Sequence, residues 1–180
     1  KLFIDEYLRR DSVAQAALLI AKDPSTNLEL VAAGIPKYAF DPLEVRNAYH
    51  CVLHGRETKV DIIIFCGPGL EQWHRPLMEK GGLGGSETAA LYLFEGLKER
   101  GYNVIMYADP GMYEGEGFYD YRRFSGKIPC DLFISWRRPW MVQEQTDYKL
   151  SMLWCHDLNY GPGNYEDMMR YDFICGMSYF

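Results

Sequence analysis

The sequence predicts an α/β protein in which residues 59–180 form a doubly wound, mostly parallel sheet behind a helical prefix of residues 1–58. Three observations carry that prediction. Short apolar runs recur from residue 60 onward without polar alternation, as strands covered on both faces do. A helical pattern separates the first two runs, which makes a right-handed crossover unit. Glycine-rich segments lie between the first run and that helix, where open α/β sheets carry their ligand loops.

Taken in order, the prefix reads as helices. Ser12 is placed to cap a segment through Val13, Ala16, Ala17 and Ile20 that Pro24 closes. Asp41-Pro42 is a stronger start, because Asp is a preferred N-cap and Pro is favoured at the first helical position, where its missing N–H has no intrahelical partner to lose. Val45, Ala48, Tyr49 and Val52 then share a face, and Gly55 supplies the stop. Beyond residue 59 the strand signals are Val60 to Cys66, Asn103 to Tyr107, Asp131 to Trp136, Leu150 to Cys155 and Asp172 to Cys175. The crossover helix runs from Glu87 to Arg100, with Ala90, Leu91, Phe94 and Leu97 on one face and Gly101 as its stop. Gly111 to Tyr121 reads as a loop leading to a short strand near Tyr119 to Phe124.

Composition narrows the function. The 180 residues are 48% hydrophobic and 24% charged, an ordinary globular balance, and 19 Lys plus Arg against 25 Asp plus Glu leave a net charge of −6. That acidity argues against a chain that holds nucleic acid by phosphate neutralisation. No apolar run approaches the roughly 18 residues that a transmembrane helix needs. The five cysteines, Cys51, Cys66, Cys130, Cys155 and Cys175, form no CxxC pair and read as reduced, buried thiols in a cytoplasmic protein. No secretory signal is visible, and Lys1 at the start with a strand signal close to Phe180 predicts an excised piece of a longer protein.

The chemistry concentrates after the first strand, in Gly67-Pro68-Gly69 and then Gly81-Gly82-Leu83-Gly84-Gly85-Ser86-Glu87 at the helix start. Glycines let a ligand approach the peptide groups, and the first N–H groups of a helix attract phosphate. The bland alternative is a turn that gives Ser86 room to cap the helix. A dinucleotide fingerprint fails, because the sixth position is Gln72 counted from Gly67 and Glu87 counted from Gly82, and the connection is too long for the tight turn. A Walker loop fails too, since Gly-Ser-Glu stands where Gly-Lys-Ser/Thr is needed.

The Gly81–Glu87 run, the helix ending Lys98-Glu99-Arg100-Gly101-Tyr102-Asn103-Val104, and Leu153-Trp154-Cys155-His156-Asp157 together resemble the N-terminal domain of retaining glycosyltransferases of family four. The resemblance covers residues 59–180 and implies a Rossmann-like sheet that is one half of a GT-B fold. It implies transfer of a sugar from a nucleotide-sugar donor to an acceptor with retention, without a metal or a resident cofactor. Gly82, Gly84, Gly85, Ser86 and Glu87 are then the donor-binding residues, with the Gly84, Gly85 and Ser86 peptide groups facing the diphosphate. His156 and Asp157 are the catalytic pair, His156 hydrogen-bonding the transferred sugar or settling charge near the anomeric carbon. In such enzymes a second domain holds most of the nucleotide, so these residues alone are expected to be inactive. Any peripheral membrane contact falls to that other part.

Three further residues are singled out as acceptor or phosphate contacts: Trp73, Arg137 and Tyr160. Sugars stack on aromatic faces, and a guanidinium after a strand end meets phosphate, although a solvated arginine fits the same pattern. Trp136 and Trp154 sit in strands and read as core. His156-Asp157 also fits a local hydrogen bond that pins a turn. His50 and His54 have metal-ligand spacing on one helix face but lack the glutamate of a zinc motif, so no metal site is expected. No GxSxG elbow occurs. Two other classes stay open: an NAD(P)- or flavin-binding oxidoreductase domain, on the strength of Asp109 after the second strand, and a non-catalytic partner-binding module docking through the prefix.

Overall fold

The computed structural model describes residues 60–69, 71–145, 147–156 and 162–176. The prefix helices, the His50/His54 pair, Asp157 and Tyr160 lie outside the described residues. The chain divides into two units, one of residues 1–58 with 122–125 and one of residues 59–121 with 126–180, and the second carries the sheet.

Its strands are β1 (Val60–Phe65), β2 (Val104–Ala108), β3 (Phe118–Asp120), β4 (Cys130–Trp136), β5 (Tyr148–Trp154) and β6 (Phe173–Cys175), in the spatial order β3-β2-β1-β4-β5-β6. Every pairing between them is parallel, and Ile64 of β1 stands between Met106 of β2 and Ile134 of β4. The expectation of an α/β protein with a mostly parallel, Rossmann-like sheet therefore holds for the described residues.

The strands form here because they are apolar on both faces. Ile62, Ile64, Val104, Met106 and Ile134 pack into one cluster, while Ile63, Ile105, Tyr107 and Phe133 point the other way and are also buried. At roughly 1.5–3 kcal/mol per buried aliphatic or aromatic side chain, this two-sided burial is what favours a central parallel strand.

Four helices are described: α1 (Arg75–Glu79), α2 (Gly85–Glu99), α3 (Met141–Glu144) and α4 (Tyr165–Met168). Helix α2 buries Ala90, Leu91 and Phe94 against the first face of the sheet. It ends where Gly101 adopts φ +86°, with the Tyr102 N–H on the Leu97 carbonyl and the Gly101 N–H on that of Lys98, a Schellman closure that glycine accommodates without strain. No described helix is long and apolar enough to cross a membrane.

Successive strands proceed outward from β1 to β3 on one side and from β4 to β6 on the other. Strand order reverses between β1 and β4, and in open α/β sheets the crevice that takes a ligand lies outside the carboxyl ends of the strands at such a point. At the far edge β6 is exposed on both faces, and Cys175 there is exposed while Cys66, Cys130 and Cys155 are buried, all four as free thiols. The expectation that the cysteines are reduced and buried therefore fails at Cys175, because an edge strand lacks a neighbour to cover it.

Candidate functional site

Three segments meet at the β1/β4 switch point. The first is the loop after β1. The Cys66 and Gly67 amides donate to the Tyr107 carbonyl at 2.8 and 3.2 Å, so the chain stays with the sheet until Gly67 turns it away at φ +70°. The Cys66 thiol beside it is fully buried. Burial pushes its pKa far up, and the nearby Arg138 charge only partly opposes this, so Cys66 is a packing group and not a nucleophile.

The second segment is the first turn of α2. Gly84 is the N-cap, in extended backbone at φ −64° and ψ 156°, and no side chain caps the turn. Ser86 does not cap the helix. It lies inside the first turn, and its hydroxyl donates to Glu87 Oε2 at 3.1 Å. The first amides of a helix have no intrahelical acceptor. Here they sit beside exposed Gly84 and Gly85, and a Cβ built on Gly85 meets nothing within 4 Å. Glu87 is the acid of that turn, which the partial positive charge at the helix start favours. Its carboxylate folds back over Gly84, where a Cβ would fall 2.6 Å from Oε2.

The third segment follows β4. Arg137 takes φ +65°, a left-handed conformation that costs a non-glycine residue on the order of 1 kcal/mol, and its N–H is held by the Trp154 carbonyl at 3.0 Å. Its guanidinium lies over the Trp136 ring at 4.4 Å, donates to Ser86 Oγ at 3.0 Å and approaches Glu87 Oε1 at 3.7 Å. Arg138 turns the other way. It donates to the Cys66 carbonyl at 2.9 Å and the Pro68 carbonyl at 2.6 Å.

The structure thus brings Ser86, Glu87 and Arg137 together around an exposed, uncapped helix start. His156 joins them through a shared neighbour. Its ring stands edge-on to Trp136 at 5.6 Å and to Trp154 at 4.6 Å, and Trp136 is the indole under Arg137. Gly82 lies one step away, its N–H on the Leu77 carbonyl at 3.3 Å. Asp157 and Tyr160 are outside the described residues.

Trp73 corrects an expectation. Read as a loop residue open to the crevice, it is 1% exposed and packs against Phe118 and Trp136, each at 5.9 Å between ring centroids. It is pulled in because the 19-residue β1–α2 connection is not an open loop. The Trp73 N–H bonds to the Asp109 carbonyl at 2.9 Å, and α1 begins two residues later. His74 starts that helix, its Nδ1 accepting the Leu77 N–H at 3.2 Å, with Pro76 in the first turn. His74 two residues ahead of Pro76, a cap followed by a proline in the first turn, was the signal in the sequence for α1.

The run Trp136-Arg137-Arg138-Pro139 offers Arg138 beside Arg137 as a second guanidinium for an anion, yet its guanidinium is engaged by the Cys66 and Pro68 carbonyls and joins the first and third segments. Among the described residues no group of three or more His, Cys, Asp and Glu side chains is gathered as a metal site. A cavity of about 300 Å³ lies elsewhere, floored by Leu91, Phe94 and Phe118 along the flank of α2, and no residue of the crevice lines it. A guanidinium beside the first-turn peptide N–H groups of α2 suits an anion. Comparison of the chain with models of protein families, with curated proteins and with solved structures gives no match, so the site is read from its own atoms.

Proposed function

We propose that this chain supplies one wall of a sugar-transfer crevice, binding the diphosphate of a nucleotide-sugar donor at the start of α2. The reading follows the resemblance to the N-terminal half of retaining GT-B glycosyltransferases. The observation that carries it is the coincidence of the switch point between β1 and β4 with the exposed turn Gly84–Glu87 and the Arg137 guanidinium.

The chemistry is electrostatic. Departure of a nucleoside diphosphate builds negative charge on the leaving oxygen, and preorganised N–H dipoles lower the barrier by meeting that charge without reorganising. The Gly85 and Ser86 amides and Arg137 supply such dipoles and a charge. His156, edge-on to Trp136 and Trp154, serves the sugar side as a hydrogen-bonding group. Asp157 follows it in sequence and shares that role.

The test is a titration of the chain with a nucleoside diphosphate and with the matching nucleoside, followed by amide chemical shifts. Saturable shifts at Gly85, Ser86 and Glu87 with the diphosphate, and none with the nucleoside, are expected. Equal response to both, or shifts elsewhere only, overturns the reading. Turnover of a nucleotide sugar by these 180 residues alone overturns the half-crevice form of it.

A further inference from the structure

We infer that Arg138 is a positioning residue for this crevice, clamping the loop after β1 to the turn after β4 so that the anion-binding groups are set before the ligand arrives. The inference rests on the anion-binding reading above.

Four contacts converge on this one residue. Its guanidinium donates from Nε to the Cys66 carbonyl at 2.9 Å and from Nη2 to the Pro68 carbonyl at 2.6 Å, so two carbonyls on either side of Gly67 are held by one planar fork. Its own carbonyl accepts from Ser135 Oγ at 2.7 Å and from the Tyr171 hydroxyl at 3.3 Å, which ties the turn to β4 and to the segment before β6. The clamp thereby spans both sides of the switch point.

Gly67 is shaped to admit it. A Cβ there would fall 2.3 Å from Arg138 Nε, and φ +70° disfavours any other residue, so the absent side chain is the space the guanidinium occupies. Arg138 is partly buried, and that desolvation lowers its pKa; the guanidinium nevertheless remains charged at any ordinary pH. A charged donor held on neutral carbonyls in a half-buried place gives hydrogen bonds stronger than those between neutral groups. The position of Arg137 follows, because Arg137 occupies the left-handed place directly before the clamped residue.

The probe is inorganic pyrophosphate, titrated into the chain and into Arg138→Ala, Arg138→Lys and Gly67→Ala, with the melting transition recorded for each. A clamp predicts that all three variants lose at least ~10-fold in pyrophosphate affinity, because misplacing a binding group by about an ångström has effects of this size or larger. Lysine fails with alanine, since its compact ammonium does not reproduce the planar fork that engages two carbonyls. Arg75→Ala, which removes the ion pairs to Glu79 and Glu95 outside the crevice, leaves affinity unchanged. A merely structural Arg138 would lower the melting temperature and leave the affinity of the folded molecules as it was. That result overturns the inference while the crevice reading stands. No pyrophosphate binding by the unsubstituted chain overturns both. Should Arg138→Ala fail to fold, Arg138→Lys and Gly67→Ala decide the matter by the same criterion.

Discussion

Arg137 and Arg138 are adjacent in sequence and held by different means, which makes Arg137 separable from the fold. Arg137 pays a backbone cost for its left-handed φ of +65° and recovers it through Trp136 and Ser86. Arg137→Gly relieves the backbone and removes the guanidinium, two changes each worth about 1 kcal/mol and opposite in sign. The expected outcome is stability within about 1 kcal/mol of the parent in urea unfolding, with pyrophosphate binding lost. A second residue-scale prediction concerns His74. Burial, and then Lys80, hold its pKa below the ordinary imidazole value, and its Nδ1 must be unprotonated to accept the Leu77 N–H. A histidine with a depressed folded pKa contributes stability above its unfolded value of about 6.5 and loses it as pH falls through the lower folded value. Hydrogen exchange at the Leu77 amide should therefore accelerate between neutral pH and pH 5 beyond the intrinsic trend, and His74→Asn, which caps without titrating, should abolish the excess. At this scale the sequence was only partly legible. Ser86 and Glu87 were read at the helix start, and they are there. Trp73 was misplaced because no local pattern distinguishes a tryptophan in an open loop from one drawn into the core by a main-chain bond to Asp109.

Elements were easier to read, for a physical reason. Both-face burial imposes a largely apolar run on β1, β2 and β4, broken only by Asp61, Asp131 and Ser135, and the stripe Ala90, Leu91, Phe94 gives α2 its single buried side. Helices α3 and α4, of four residues each, are too short to show a period. The same stripe sets a stability prediction. Leu91→Ala, at 2% exposure, should cost about 2–5 kcal/mol, whereas Tyr92→Ala, at 62%, should stay within about 0.5 kcal/mol, both read from chemical unfolding. Strand β6 depends on a polar device in place of a core. The Ser151 amide and hydroxyl donate to Asp172 Oδ2 at 2.8 and 2.9 Å, and the Asp172 amide returns a bond to Ser151 Oγ at 3.1 Å. Those donors hold the Asp172 carboxyl below its usual range. A carboxylate with a depressed folded pKa contributes stability above its unfolded value near 4 and loses it as pH falls through the folded value. Asp172→Asn should therefore destabilise the chain at neutral pH, and the gap between the two proteins should close as pH is lowered below about 4. A gap that persists unchanged in acid would show that the carboxylate charge plays no part.

The whole molecule adds a constraint that neither residues nor elements contain. It carries a net charge of −6 and yet is proposed to take an anion, so the long-range field opposes the approach and only local groups favour it. Exposed charges separated by more than about 10 Å are largely screened at 0.1 M salt, whereas peptide dipoles and a guanidinium in contact with the ligand are screened less. Raising the salt therefore removes distant repulsion and weakens close attraction at the same time. A basic surface patch has no such opposition, and its affinity falls steeply with salt as counterions are released. For this chain, pyrophosphate affinity measured by calorimetry should change by less than about threefold between roughly 0.02 and 0.2 M sodium chloride, the two screening effects offsetting one another. Binding that collapses over that interval would place the anion on solvated side chains and not against the peptide groups of the Gly84–Glu87 turn.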